Sequence, residues 1–135
     1  MPDRGHLVIS AGASRLAIPL ECVEALLPWG NMRELPLSAA WVEGVLPGEG
    51  QAVPVLRTSS IWGVGDASPE VLVVLSLGGE RMAIPGSAPR LVEPEALEPP
   101  PENPEGVWSG CFKEGGGTSV PCLDVEKLYL RLGLH

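Results

Sequence analysis

The chain has 135 residues, a formal net charge of −8, 44% hydrophobic residues, and as many as 17 Gly and 15 Pro. That length suits one ordinary domain or two intimately packed subdomains. Its nine Lys and Arg are scattered singly, so it lacks the clustered basic surface that a nucleic acid or an anionic membrane requires.

Leu7–Ser10 and Arg15–Pro19 read as a hairpin across Ala11-Gly12-Ala13-Ser14. Over Leu20–Leu27 the alternation breaks. Val23, Leu26 and Leu27 fall at helical spacing and Pro28 stops the segment, which predicts one or two helical turns with an apolar face. Asn31–Ala40 is irregular. Trp41–Leu46 and Gln51–Leu56 predict strands around the turn Pro47-Gly48-Glu49-Gly50, and Ser59–Gly63 a short fifth strand. Val71–Leu77, a nearly continuous apolar run, predicts a buried strand, followed by Arg81–Pro85 across Gly78-Gly79-Glu80. Glu93–Glu105 holds five Glu and five Pro in thirteen residues and reads as a solvated, extended connector. Val107–Lys113 and Thr118–Cys122 then predict two strands across Glu114–Gly117. Asp124 is placed to cap a helix in which Val125, Leu128, Tyr129 and Leu132 recur at i, i+3, i+4 and i+7, with Gly133 at its stop.

Several of these elements occur twice. Leu7–Pro19 returns as Val73–Pro85 at an offset of 66, with Val8, Ser10, Gly12, Arg15, Ala17, Ile18 and Pro19 unchanged. Trp41-Val42-Glu43-Gly44-Val45-Leu46 with Ala52-Val53-Pro54-Val55-Leu56 is echoed by Trp108-Ser109-Gly110-Cys111-Phe112 with Ser119-Val120-Pro121-Cys122-Leu123. Conserved order and spacing imply two copies of one small unit. A unit of about 65 residues makes a poor independent core, so the halves are expected to share one. The expected subdomains run over about 7–65 and 66–134, the second holding the acidic connector at 93–105.

Little in the chain points to catalysis. His6 and His135 lie at the ends, where acid–base geometry is hard to hold. Cys22, Cys111 and Cys122 form an odd set without a CxxC or a metal-ligand spacing, which suits small buried hydrophobes in a reducing compartment. Asp occurs only at Asp3, Asp66 and Asp124, and no carboxylate pair stands out. No catalytic, cofactor or metal site is expected, and binding is the indicated function. Met1–His6 lacks the apolar core of a signal peptide, and no apolar run approaches the ~20 residues of a membrane helix, so a cytoplasmic location is expected.

The ordered motifs resemble the CheW-like domains, adaptor modules of bacterial chemosensory arrays. The resemblance is carried by Leu16-Ala17-Ile18-Pro19 followed by Val23 and Leu26-Leu27, by Trp41–Val45, and by Ala52-Val53-Pro54-Val55. It continues in Val71–Leu77 with Arg81–Ile84 and in Leu123-Asp124-Val125-Glu126-Lys127-Leu128. It implies a mainly β fold of two interlocked five-stranded barrels with a short C-terminal helix. It also implies a non-enzymatic scaffold joining the cytoplasmic helical tip of a chemoreceptor to the regulatory domain of a CheA-type histidine kinase. The implied receptor groove would involve Val23, Leu26, Val45, Leu46, Glu49, Val71 and Val92, with Val23, Leu26 and Leu46 at least partly exposed. The chain departs from the family pattern at charged positions. Ala25 stands for a usual glutamate, Glu49 for arginine, Arg57 for an acid, and Gly86-Ser87 for Val-Asp. Two other classes stay open on these residues: a scaffold of this fold that binds one partner only, and a small enzyme on a barrel.

Overall fold

The computed structural model describes residues 5–12, 14–34, 39–47, 52–59, 68–94, 96–100 and 106–133. In chain order the strands are β1 (His6–Ala11), β2 (Ser14–Pro19), β3 (Val23–Pro28), β4 (Val42–Leu46), β5 (Val53–Leu56), β6 (Val71–Leu77), β7 (Glu80–Val92), β8 (Trp108–Glu114) and β9 (Thr118–Leu123). Helix α1 (Val125–Arg131) follows β9, and the Asp124 carboxylate accepts the Lys127 N–H at 3.1 Å, as its capping position predicts. Tyr129, buried on the helix's inner face, donates its hydroxyl to the Glu80 carbonyl at 2.9 Å.

The pairing makes two five-stranded sheets that share β7. One runs β7-β1-β2-β9-β8 and the other β3-β6-β7-β5-β4. Sheets and repeats do not coincide. β2 lies parallel to β9 through Ala17 and Cys122, and β5 lies parallel to β7 through Val55 and Ala83. Each sheet therefore takes strands from both halves of the chain, and the two Ala-Ile-Pro segments occupy equivalent strands, β2 and the start of β7.

An isolated bridge joins the two edges of each sheet. Arg33, just beyond β3, exchanges two hydrogen bonds of 2.8 Å with Val45 of β4. Glu98, beyond β7, does the same with Cys111 of β8 at 2.8 and 2.9 Å. These bridges close the two barrels, and they explain a repeated glycine. A Cβ on Gly44 would lie 2.6 Å from the Arg33 carbonyl oxygen, and one on Gly110 would lie 2.9 Å from that of Glu98. Only glycine lets the closing segment cross so near. The acidic connector is thus not wholly solvated, because its residues around Glu98 supply the closing pair of the first barrel.

Alternation along the strands sorts the core into three layers. Leu7, Ile9, Leu16, Ile18, Val73, Leu75, Met82 and Ile84 face one another between the barrels, where the helix residues Val125, Leu128 and Tyr129 cover them. The intervening positions fill the barrels. Val8 and Ala17 join Phe112, Val120 and Cys122 in the first; Leu72, Val74 and Ala83 join Leu46, Val53 and Val55 in the second. β6 is apolar at nearly every residue because both of its faces are buried.

Three expectations are corrected. Leu20–Leu27 is not helical beyond a 3-10 turn at Leu20–Cys22; Val23–Pro28 is β3, antiparallel to β6. A bulge between Val23 and Ala25 adds one residue, so Val23 faces Leu75 and Leu26 faces Val73 on the same side of the sheet. Three-residue spacing on one face is helical in appearance and bulged strand in fact. β7 runs on past Pro85 to Val92. His6 is not a loose end: it lies in β1, buried, its ring centroid 6.2 Å from that of Phe112. Past Ser59, the strand expected over Ser59–Gly63 falls outside the described residues.

Candidate functional site

β3 is the edge strand of the second barrel and carries the most exposed apolar run of that barrel. Leu26, Leu27 and Trp29 are 46%, 39% and 38% exposed. Pro28 between them has no N–H to donate, and the strand ends there. The Trp29 N–H donates to the Glu70 carbonyl at 2.9 Å, which fixes the chain as it leaves the sheet. Beside this strip the second barrel opens as a groove of about 460 Å³ lined by Leu27, Pro28, Met32, Arg33, Leu46 and Pro47. Exposed apolar residues that are contiguous along a rigid edge are the usual form of a docking surface.

The expected groove residues fall into three groups. Val23, Leu26 and Val71 lie on one ladder, where Leu26 faces Val73 and Pro28 faces Val71; Val23 and Val71 are half-buried. Val45 and Leu46 lie on β4. Leu46 meets Leu27 at the groove but is only 7% exposed, so the partial exposure expected of it is not found; it belongs to the interior of the second barrel. Val92 sits apart. It pairs with His6 in the other sheet and packs against the interior of the first barrel, in the place that Leu27 has in the second. Glu49 lies outside the described residues. Leu27 is quoted in the motif but not among the expected groove residues, and Trp29 is in neither; their signal is the unbroken run Leu26-Leu27-Pro28-Trp29, which a one-sided strand does not need.

Two of the departures in charge, Ala25 and Arg57, are accommodated locally. Ala25 is half-buried against the second barrel's interior, where a glutamate without a partner would be costly. Arg57 pairs with Glu43 at 3.2 Å, and Arg81 with Glu24 of β3 at 2.9 Å. At the first barrel's mouth, Glu114 binds both Arg90 and Arg15, the latter at 3.3 Å. Hydrogen bonding from Arg90, helped by Arg15, holds the Glu114 carboxyl below the usual carboxylate range.

The Cys122 and Cys22 thiols are held toward their protonated forms. Burial, with neighbouring Cys111, pushes Cys122 up to about 11; burial, with Glu21 and Asp124, raises Cys22. Among the described residues no group of three or more His, Cys, Asp or Glu is arranged to hold a metal ion, and no helix is long and apolar enough to cross a membrane.

The family model for the CheW-like domain matches residues 5–132. Among solved structures, the chain is similar to the scaffolding protein TtCheW from Thermoanaerobacter tengcongensis. The TM-score is 0.78 at 15% sequence identity, over 91% of this chain and 84% of that one. At this identity the likeness concerns the fold. No curated protein matches the sequence significantly.

Proposed function

The chain belongs to the CheW-like domain family, a family of non-enzymatic scaffolds, and from that membership we propose that it is an adaptor of a bacterial chemosensory array. In this reading it couples the cytoplasmic helical tip of a chemoreceptor to the regulatory domain of a CheA-type histidine kinase, and it works in the cytoplasm. The observation that carries the reading is the exposed strip Leu26-Leu27-Pro28-Trp29 at the end of an edge strand, next to a mostly apolar groove. A receptor tip is a hairpin of amphipathic helices, and an apolar helix face laid on such a strip buries its own leucines without asking the strand for hydrogen bonds. Val23, Leu26 and Val71 form the receptor side, Leu27 and Trp29 extend it, and Val45, Leu46 and Val92 support the barrels behind it. Glu49 acts on partner choice: a negative charge where relatives carry arginine disfavours their receptors and favours one with a basic or neutral surface there.

A scaffold that binds one partner only is the second reading. It is favoured by the Arg57–Glu43 ion pair, which directs Arg57, at a usually acidic position, toward a residue of the same chain. Titration of the protein with a receptor-tip hairpin fragment and, separately, with a kinase regulatory domain tests both readings. Binding of both supports the adaptor, binding of one supports the second reading, and binding of neither refutes both. Restoring Arg at 49 together with Glu at 25 should shift preference toward receptors served by an ordinary adaptor, more than either change alone. Equal binding by wild type and double variant would remove that pair from specificity.

A further inference from the structure

Among the described strands β7 alone belongs to both barrels, and it changes sheets between two adjacent residues. Its ladder with β6 ends at Gly86, opposite Val71, and its ladder with β1 begins at Ser87, opposite Ser10. Two features make this joint unlike an ordinary strand. A Cβ on Gly86 would lie 2.8 Å from Ile9 Cδ1, so the backbone there is pressed against the central core. Ala88 has φ +48°, the left-handed region that a residue with a Cβ adopts only when its surroundings enforce it.

The ladder with β1 is bulged between Ser87 and Arg90, and Glu70 holds the joint with two hydrogen bonds and the end of β3 with a third. Its N–H donates to the Gly86 carbonyl at 2.9 Å, and its side-chain Oε1 accepts the Ala88 N–H at 3.0 Å. Its carbonyl accepts the Trp29 N–H at 2.9 Å. One residue, just ahead of β6, thus ties the end of the exposed apolar strip to the point where the two barrels meet. We propose that Glu70 is a positioning residue for partner binding: its carboxylate holds the β7 joint in its left-handed conformation, and so fixes the second barrel, with β3 on its edge, relative to the first. The proposal rests on the adaptor reading for its functional consequence and on the joint's geometry for everything else.

The test compares wild type, Glu70→Ala and Glu70→Gln by amide hydrogen exchange and by titration with a receptor-tip hairpin fragment. Glu70→Ala should speed exchange of the Ala88 amide by about tenfold or more, because that N–H loses its acceptor. Exchange at Val73 and Ile84, in the β6–β7 ladder, should stay within about twofold, which shows that the barrel remains folded. Fragment binding should weaken about fivefold or more, and Glu70→Gln, which keeps an acceptor oxygen, should restore both readouts to within about twofold. In an Ala88→Gly background the same Glu70→Ala change should cost less than about twofold in binding, since glycine holds a positive φ unaided. Unchanged Ala88 exchange in Glu70→Ala, or faster exchange with unchanged binding, would overturn the proposal. If wild type binds no fragment, the adaptor reading fails, and the exchange data alone decide whether Glu70 holds the joint.

Discussion

The mouths of the two barrels are built from equivalent residues and finished differently. Leu26 and Leu27 of β3 correspond to Leu91 and Val92 at the end of β7. Leu26 faces Val73 and Leu91 faces Leu7; Leu27 faces Leu72 and Val92 faces His6. Each mouth holds a groove, of about 460 Å³ in the second barrel and about 350 Å³ in the first. In the second barrel the lining is mostly apolar, from Leu27, Pro28, Met32, Leu46 and Pro47, with Asn31 and Arg33 as its polar side chains, and the exposed Leu26 and Trp29 lie behind it. In the first barrel Lys113 and Glu114 stand beside Val92, Pro94, Ala96 and Phe112, and Arg90, the counterpart of Ala25, ties β7 to β8 through Glu114. Duplication supplied one scaffold twice, while a handful of rim residues left one copy the more apolar and cross-tied the other with ions. Ion pairs whose arginines stay about half exposed add little stability; their consequence is that the first mouth is already occupied by its own charges.

That comparison can be broken at several levels. The largest effect should come from the closing bridges, which both barrels share. Gly44→Val should destabilise the protein by about 3 kcal/mol or more, and Gly110→Val by somewhat less, because the closest atom in each case is a backbone carbonyl that cannot swing away. Urea midpoints at constant m-value measure this, and an effect below about 1 kcal/mol at both positions would contradict barrel closure. Next, Leu72→Ala, fully buried in the second barrel, should cost about 2–5 kcal/mol by leaving a cavity. The corresponding change at exposed Leu91 should stay within about 0.5 kcal/mol.

Legibility in the sequence followed whether one signal governed a segment. β6 and α1 were readable because burial on both faces gives an unbroken apolar run, and a capped i, i+3, i+4 pattern has one interpretation. β3 was misread because its bulge converts a two-residue strand period into a three-residue one. The second half of β7 was not legible, because Pro85, Gly86 and Pro89 are residue types that ordinarily interrupt a strand. In the structure Gly86 serves close approach to Ile9, and the strand changes sheets there. Of the proposed binding face, Leu26 and Leu27 were legible as apolar residues of one motif, but the exposure of Leu27 and Trp29 was not, since nothing local distinguishes an apolar residue that lines a core from one that is left outside it. The exchange of strands between halves was equally hidden: a repeat states what is equivalent, not what is paired.

The smallest predicted effect concerns acid. The folded-state pKa of Glu114 is depressed, so its contribution to stability is present above the ordinary glutamate value, near 4.5, and is lost as pH falls through the lower folded value. Glu114→Gln should therefore flatten the acid limb of the stability–pH curve below about pH 4.5 and leave the curve unchanged in shape near neutrality. Identical acid limbs for both proteins would show that the Arg90–Glu114–Arg15 cluster does not persist in solution.

The most direct test of the asymmetry uses the two equivalent leucines. Leu26→Asp and Leu91→Asp place the same charge at pseudo-equivalent exposed positions, 46% and 71% accessible, so neither should unfold the protein. Calorimetric titration with a receptor-tip hairpin fragment then reads binding alone. The account predicts that Leu26→Asp weakens binding by about tenfold or more, the cost of a charge buried against an apolar helix, while Leu91→Asp binds like wild type. Equal losses at both positions, or a loss at Leu91 alone, would contradict the assignment of the binding face to the second barrel.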